Sequence, residues 1–269
     1  MKKLDHLKNI INNYDHFIID LWGVVHNGIR PYEGAIKTIE ELHKNNKNYY
    51  FLSNAPRPVN DVRRFLVEKM KIDQKFLMNI LTSGEAAINS IKKFKYGKFF
   101  FHLGPKRDSK IYQGLENFKT KLENCDYILC TGLYDNEMNN LEFYEKLLEN
   151  SIDKKMICTN PDLIVDRGNV QEYCAGTIAK LFEKIGGKVV YFGKPHKEIY
   201  NSILKQEDKA LIIGDNLRTD IKGANLIKQD SLFIIDGIHK NEIESLDNLK
   251  VILKKYNVQI SFVQEQLNW

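Results

Sequence analysis

Phe17-Ile18-Ile19-Asp20-Leu21-Trp22-Gly23-Val24-Val25 is the stretch on which the reading of this chain turns. An apolar, β-branched run that ends on a carboxylate just ahead of a glycine turn is a buried strand. It delivers that carboxylate at its carboxyl end, where open α/β sheets place their chemistry. Outward from it the pattern repeats. Strands are predicted over 16–20 and 49–53, joined by a helix over 34–45 in which Ala35, Ile36, Ile39 and Leu42 recur at helical spacing after Pro31 and Gly34. A second helix over 59–71 follows Pro56-Arg57-Pro58, and Leu81-Thr82-Ser83-Gly84 introduces a third over 85–93.

The middle of the chain has a smaller α/β rhythm of its own, with strand-like runs at 98–103, 127–130 and 156–158 and helices over 141–148 and 175–185. Phe99-Phe100-Phe101 reads as core of that inserted unit. The last third resumes the first pattern: strand 189–192, helix 196–204, strand 210–214, helix 219–227 and strand 232–236. The expected architecture is α/β. A Rossmann-like parallel-sheet core from residues 1–81 and 181–269 is interrupted by a smaller α/β cap over 82–180.

Composition is globular, with 43% apolar and 28% charged residues among 269. The formal charge of +5 comes from lysines dispersed singly and in pairs, such as Lys92-Lys93 and Lys254-Lys255. No basic stripe or aromatic platform accompanies them, so no nucleic-acid partner is expected. Four cysteines, at 125, 130, 158 and 174, have neither zinc nor disulfide spacing and read as buried thiols. No apolar stretch approaches the ~20 residues that span a bilayer. The expectation is therefore a cytoplasmic protein without a membrane partner. The apolar character of the last ten residues is expected to pack on the chain's own core, with a homo-oligomer as the alternative.

Four strand ends carry the chemistry: Asp20, Ser53-Asn54, Gly193-Lys194-Pro195, and Gly214-Asp215-Asn216-Leu217-Arg218-Thr219-Asp220-Ile221. Carboxylates, a hydroxyl and an ammonium at one sheet edge suit a metal and a phosphate. Mg2+ demands oxygen ligands, and a cation neutralises charge on a transferring group. Each segment alone has an ordinary reading as a turn, a helix start or a surface loop; their order and spacing together make the argument.

Together they resemble the haloacid dehalogenase superfamily, class II type A, which includes sugar, nucleotide, nitrophenyl and pyridoxal phosphatases. Asp20 with Gly23-Val24 and Gly28 resembles the first motif, Ser53-Asn54 the second, Lys194 the third, and Asp215 with Thr219-Asp220 the fourth. Cys158-Thr159-Asn160-Pro161-Asp162 and Asp166-Arg167-Gly168 resemble the cap-to-core segment. The resemblance implies a Mg2+-dependent phosphoric monoester hydrolase acting on a small phosphorylated metabolite through an aspartyl-phosphate on Asp20. It implies that Ser53 hydrogen-bonds the phosphoryl group and Lys194 pairs with Asp20 and phosphate. Trp22, Gly23, Asn54, Asn160 and Asp162 would bound the substrate. Asp20, the Trp22 carbonyl, Asp215 and Asp220 would form the metal site, with Asp220 orienting Lys194 or metal-bound waters.

Trp22 departs from the family pattern, where the residue two after the nucleophile is an Asp that carries the leaving-group proton. Indole is a donor that does not titrate usefully, so the metal-binding carbonyl is kept and the proton carrier is lost, a loss worth roughly 10²–10⁴-fold. His26 is a candidate replacement. Two alternatives follow from the same residue: a phospho-ligand sensor or interaction protein with impaired turnover, and a metal-free dehalogenase. Asp215 and Asp220 argue against the latter, since uncompensated like charges beside Asp20 would weaken the nucleophile.

Overall fold

The computed structural model describes residues 1–168 and 170–269. Seven parallel strands form one sheet, in the order Lys2–Lys3, Phe262–Gln264, Asp230–Ile234, Ala210–Gly214, His16–Ile19, Asn48–Ser53, Ile80–Thr82. Ile19 lies opposite Ile213 on one side and Phe51 on the other. The loops carrying Asp20, Ser53 and Asp215 therefore leave the sheet at one edge, at the point where chain order reverses.

The apolar run at 17–19 is continuous because both faces of the sheet are covered. Phe17 and Ile19 pack with Phe51, Leu211 and Ile213 on one face. Ile18 packs with Leu52, Ile212, Tyr200 and Ala224 on the other. Alternate residues of a strand point to opposite faces, so no position in such a strand is left for a polar side chain until it ends at Asp20.

The second sheet has four parallel strands in the order Lys188–Tyr191, Lys155–Cys158, Tyr127–Cys130, Phe100–Leu103. Helices Leu141–Leu148 and Ala175–Lys184 bury its one face, while Ile88 and Ile91 of helix Ser83–Ile91 pack with Phe100 and Tyr127 on the other. Phe100 is fully buried and Phe101 partly, but Phe99 is exposed. An antiparallel pair, Ile164–Arg167 with Val170–Tyr173, projects toward the first sheet's active edge.

One expected strand changes sheets. The run at 189–192 was expected to resume the first sheet, but Lys188–Tyr191 pairs residue for residue with Lys155–Cys158 at the edge of the second. A short apolar run specifies a strand and leaves its partner open; here the half-buried Val189 and Val190 suit an edge position. The chain returns to the first unit at Gly193-Lys194, not at 181.

Other departures are local. The expected helix over 219–227 is a π-helical turn, Leu217–Ile221, running into a short α-helix, Lys222–Leu226. The helix expected over 196–204 spans only Lys197–Asn201. Ile80–Thr82 and Phe262–Gln264 add strands, and helix Leu246–Tyr256 covers the sheet near the latter. With Leu267 buried and Phe262–Gln264 between two strands, the carboxyl end packs within the chain. All four cysteines are free and buried. Among the described residues no helix is long and apolar enough to cross a membrane.

His102, buried in the second sheet with Nε2 2.9 Å from Thr131 Oγ1, makes the fold acid-sensitive. Burial pushes its pKa from 6.5 down to about 4, with Lys119 adding to the effect. The unfolded chain binds the extra proton between those values, so the contribution is complete above pH 6.5 and is lost as pH falls toward 4. Relative to His102→Gln, the parent is expected to lose up to about 1.4 kcal/mol of stability per pH unit in that window, measured by urea unfolding at pH 7.5, 6 and 5. A parent-to-variant difference that stays constant with pH would refute this.

Candidate active site

Lys194 reaches from the Gly193-Lys194 loop to the centre of the site, where its Nζ donates to Asp20 Oδ1 at 2.5 Å and to Asp220 Oδ1 at 2.7 Å. All three side chains are almost wholly buried. Asn54 holds the lysine's backbone from both sides: its Oδ1 accepts from Lys194 N at 2.8 Å and its Nδ2 donates to Lys194 O at 3.2 Å. The side chain expected to touch substrate is thus already committed to positioning the cation. Ser53 is buried beside it, with Oγ accepting the Ala55 amide at 3.2 Å.

Asp215 enters from the end of the adjacent strand, with Oδ2 accepting from the Ile238 amide at 2.7 Å. Gly23, at φ +86°, allows its approach: a Cβ there would lie 2.0 Å from Asp215 Oδ2. Oxygens of Asp20, Asp215 and Asp220 lie within 4.8 Å of one another. Three carboxylates against one ammonium leave two negative charges, the complement of a divalent cation. The Trp22 carbonyl accepts no hydrogen bond among the described residues and is free to join them.

The electrostatics carry the same imbalance. Burial pushes the Asp20 carboxyl up to about 8; Lys194 opposes the rise and Asp220 adds to it. Asp215 is pushed well above the usual carboxylate range by burial and then by Asp20 and Asp220. Burial alone would lower Lys194, but Asp20, Asp220 and Asp162 outweigh it and hold the ammonium charged. Asp162 is itself raised, by burial against the pull of Lys194.

Asp162 reaches the core, where its Oδ1 accepts from Asn216 Nδ2 at 3.3 Å. Asn160 lines the same space but turns its Oδ1 onto the Asp162 amide at 3.1 Å. Trp22 donates its indole N–H to the Asp166 carbonyl at 2.6 Å. His26 is buried against Trp22 and Phe65, and its Nδ1 accepts the Gly28 amide at 3.0 Å. Burial, then the Arg167 charge, pushes its pKa down to about 4. A neutral ring with one nitrogen occupied is a poor proton donor near pH 7. Above these residues lies a cavity of about 430 Å³, part polar at Asp20, Ser53 and Asp215, part apolar at Phe65, Leu133 and Met138.

A sequence model of haloacid dehalogenase-like hydrolases matches residues 17–117, and a second, HAD-hydrolase-like, matches residues 191–255. The chain belongs to the haloacid dehalogenase-like hydrolases. It is similar to a hydrolase of that family from Brucella suis 1330, at 28% identity and TM-score 0.85 over 98% of this chain and 99% of the other. An acid sugar phosphatase of Staphylococcus haemolyticus (strain JCSC1435) is 26% identical over 274 residues, 95% of this chain and 98% of its own. A 5'-nucleotidase of Bacillus subtilis (strain 168) is 24% identical over 86% of this chain and 91% of its own. The chain is thus an enzyme, a hydrolase of the phosphatase kind.

Several parts of this hydrolase site carried no sequence signal. The Ile238 amide on Asp215 is one, and His239, whose Nε2 accepts the Leu217 amide at 3.2 Å, is another. Arg57 of the Ser53-Asn54 loop pairs with the buried Asp108 of the second unit at 2.8 Å, and Ser83 donates to Thr159 O at 2.5 Å. These contacts join the two units around the cavity.

The raised Asp215 makes the site unstable for its function. A carboxyl whose pKa is raised by folding costs stability above its unfolded value, and the cost is relieved as pH falls. In chelating buffer at pH 8, Asp215→Asn is expected to raise the unfolding midpoint by a few degrees, at about 2–4 °C per kcal/mol for a chain of this size. The gain should shrink toward pH 4, as followed by thermal melts; no gain at pH 8 would refute the charge argument.

Proposed function

We propose that this hydrolase is a Mg2+-dependent phosphoric monoester hydrolase that forms an aspartyl-phosphate on Asp20 and favours substrates whose leaving group departs unprotonated. The observation that carries the reading is the buried Asp20–Lys194–Asp220 bridge with Asp215 beside it, beneath a cavity of small-metabolite size. The phosphatase names of its relatives agree with it.

Asp20 Oδ1 is held by Lys194, while Oδ2 accepts no hydrogen bond among the described residues and is the nucleophilic atom. Its attack forms an O–P bond and breaks the ester bond; water then cleaves the acyl phosphate, which splits one displacement into two. Lys194 offsets charge on the phosphoryl oxygens, with Asp220 and Asn54 fixing its head and its backbone. Ser53 Oγ stands ready to donate to the same group. Asp20, Asp215 and the Trp22 carbonyl, with Asp220 adjacent, would hold a divalent cation, which would supply Lewis-acid neutralisation of those oxygens. Without such a cation, burial and the nearby Asp220 charge hold the Asp20 carboxyl above the usual carboxylate range, which disfavours metal-free attack on a haloacid.

No group in the nucleophile turn carries a proton to the leaving oxygen, because Trp22 does not titrate and His26 is neutral with Nδ1 occupied. Aryl and acyl phosphates are therefore the favoured substrate class. Turnover of p-nitrophenyl phosphate is expected to exceed that of glycerol phosphate by roughly 10²–10⁴-fold, to vanish with EDTA, and to fall to background in Asp20→Asn. Trp22→Asp is expected to narrow the aryl-to-alkyl ratio. Equal background in parent and Asp20→Asn, with inorganic phosphate still bound, would instead indicate a phosphate-binding protein without turnover.

A further inference from the structure

Trp22 stands where a proton carrier is expected, and its ring has another set of partners. The indole N–H donates to the Asp166 carbonyl at 2.6 Å. The Arg167 guanidinium lies over the ring, 5.2 Å from its centroid, and is steadied by Glu172 at 2.9 Å. Next along the chain, the Gly168 amide donates to the Asn27 carbonyl at 3.2 Å. Three consecutive residues of the second unit thus rest on the loop that follows Asp20. The ring's far edge packs on Gly28, where a Cβ would come within 2.5 Å of Cζ2, so the loop itself holds the indole in place.

We propose that Trp22 is a positioning residue that seats the Ile164–Arg167 strand over the nucleophile turn and so sets the wall of the substrate cavity. Ile164, Val165, Asp166 and Arg167 all line that cavity, so loss of the contact displaces the surface a leaving group meets. The indole N–H bond bridges residues 144 positions apart and is partly buried, so losing the donor leaves the Asp166 carbonyl without its partner. A cation over a tryptophan face adds a second attraction between the same two segments. The position thereby exchanges proton delivery for cavity geometry, and substrate affinity should depend on it more than the chemical step does.

The effect on catalysis rests on the phosphatase reading; the seating itself does not, and two readouts separate them. Trp22→Phe keeps an aromatic ring and removes the indole donor. Native-state trypsin cleavage at the Arg167–Gly168 bond, whose amide is held by the Asn27 carbonyl in the parent, is timed by mass spectrometry and expected to quicken about threefold to tenfold. With p-nitrophenyl phosphate and Mg2+, KM should rise by a similar factor while kcat stays within about twofold, because only uniform binding is lost. Cleavage at the parental rate with KM unchanged would overturn the proposal. Faster cleavage in a chain with no turnover would uphold the seating and reject the phosphatase reading.

Should Trp22→Phe fail to fold, the contact can be read from its other side. The chain has two tryptophans, so in a Trp269→Phe background Trp22 is the sole emitter. Arg167→Gln there is expected to shift emission to the red and at least double acrylamide quenching as water reaches the ring. Unchanged emission and quenching would show that the guanidinium does not cover Trp22, and the proposal would fail.

Discussion

Lys194 must neutralise more negative charge than one ammonium can, and much of the site's design follows from that. Removing a charge from water costs several kcal/mol per ion even after relaxation, and a buried pair recovers this only with good geometry on both partners. Here the geometry is supplied by four hydrogen bonds from three residues: Asp20 and Asp220 on the amine, and Asn54 on both backbone groups of the same lysine. Asp215 remains uncompensated, held by one backbone amide from the 237–239 loop. The site is poised to take up positive charge, and its raised carboxyl groups record how far the protein alone falls short.

The same burial explains why the cavity has two characters. Its floor is polar because strands from the middle of the sheet end there, each with a functional side chain within two residues of its last apolar one. Its walls come from the second unit and from helix Val59–Glu68, which contributes Val62 and Phe65. Ties such as Arg57–Asp108 and Ser83–Thr159 hold those walls to the floor. Trp22 belongs to both. Its backbone lies in the nucleophile turn, and its ring supports the antiparallel strand pair. A residue shared in this way links the chemistry of the floor to the shape of the wall, so a change at position 22 alters more than a proton path.

Much of this was legible in sequence because sheet chemistry is local. An apolar run ending in Asp20, a Ser-Asn pair after a second strand, and an eight-residue stretch from Gly214 to Ile221 each carry their structure in a few neighbouring residues. The alternation of buried strands and amphipathic helices required a parallel sheet, and the parallel sheet brought the ends together. Legibility failed where partner choice is long-range. The 188–191 run is equally a strand in either sheet, and only its pairing with Lys155–Cys158 assigned it. Edge strands as short as Ile80–Thr82 leave too little pattern to detect.

The sequence by itself determined the α/β class, the order of the strand-end motifs, the departure at Trp22 and the charge types that had to meet, because these depend on residue type and short spacing. Tertiary structure alone decided that Asn54 serves Lys194, that Ile238 and His239 brace the Asp215 loop, and that the Trp22 indole binds Asp166. Those contacts join residues from 22 to 144 positions apart, and a hydrogen bond at such range is set by how the units pack rather than by any local preference of the chain.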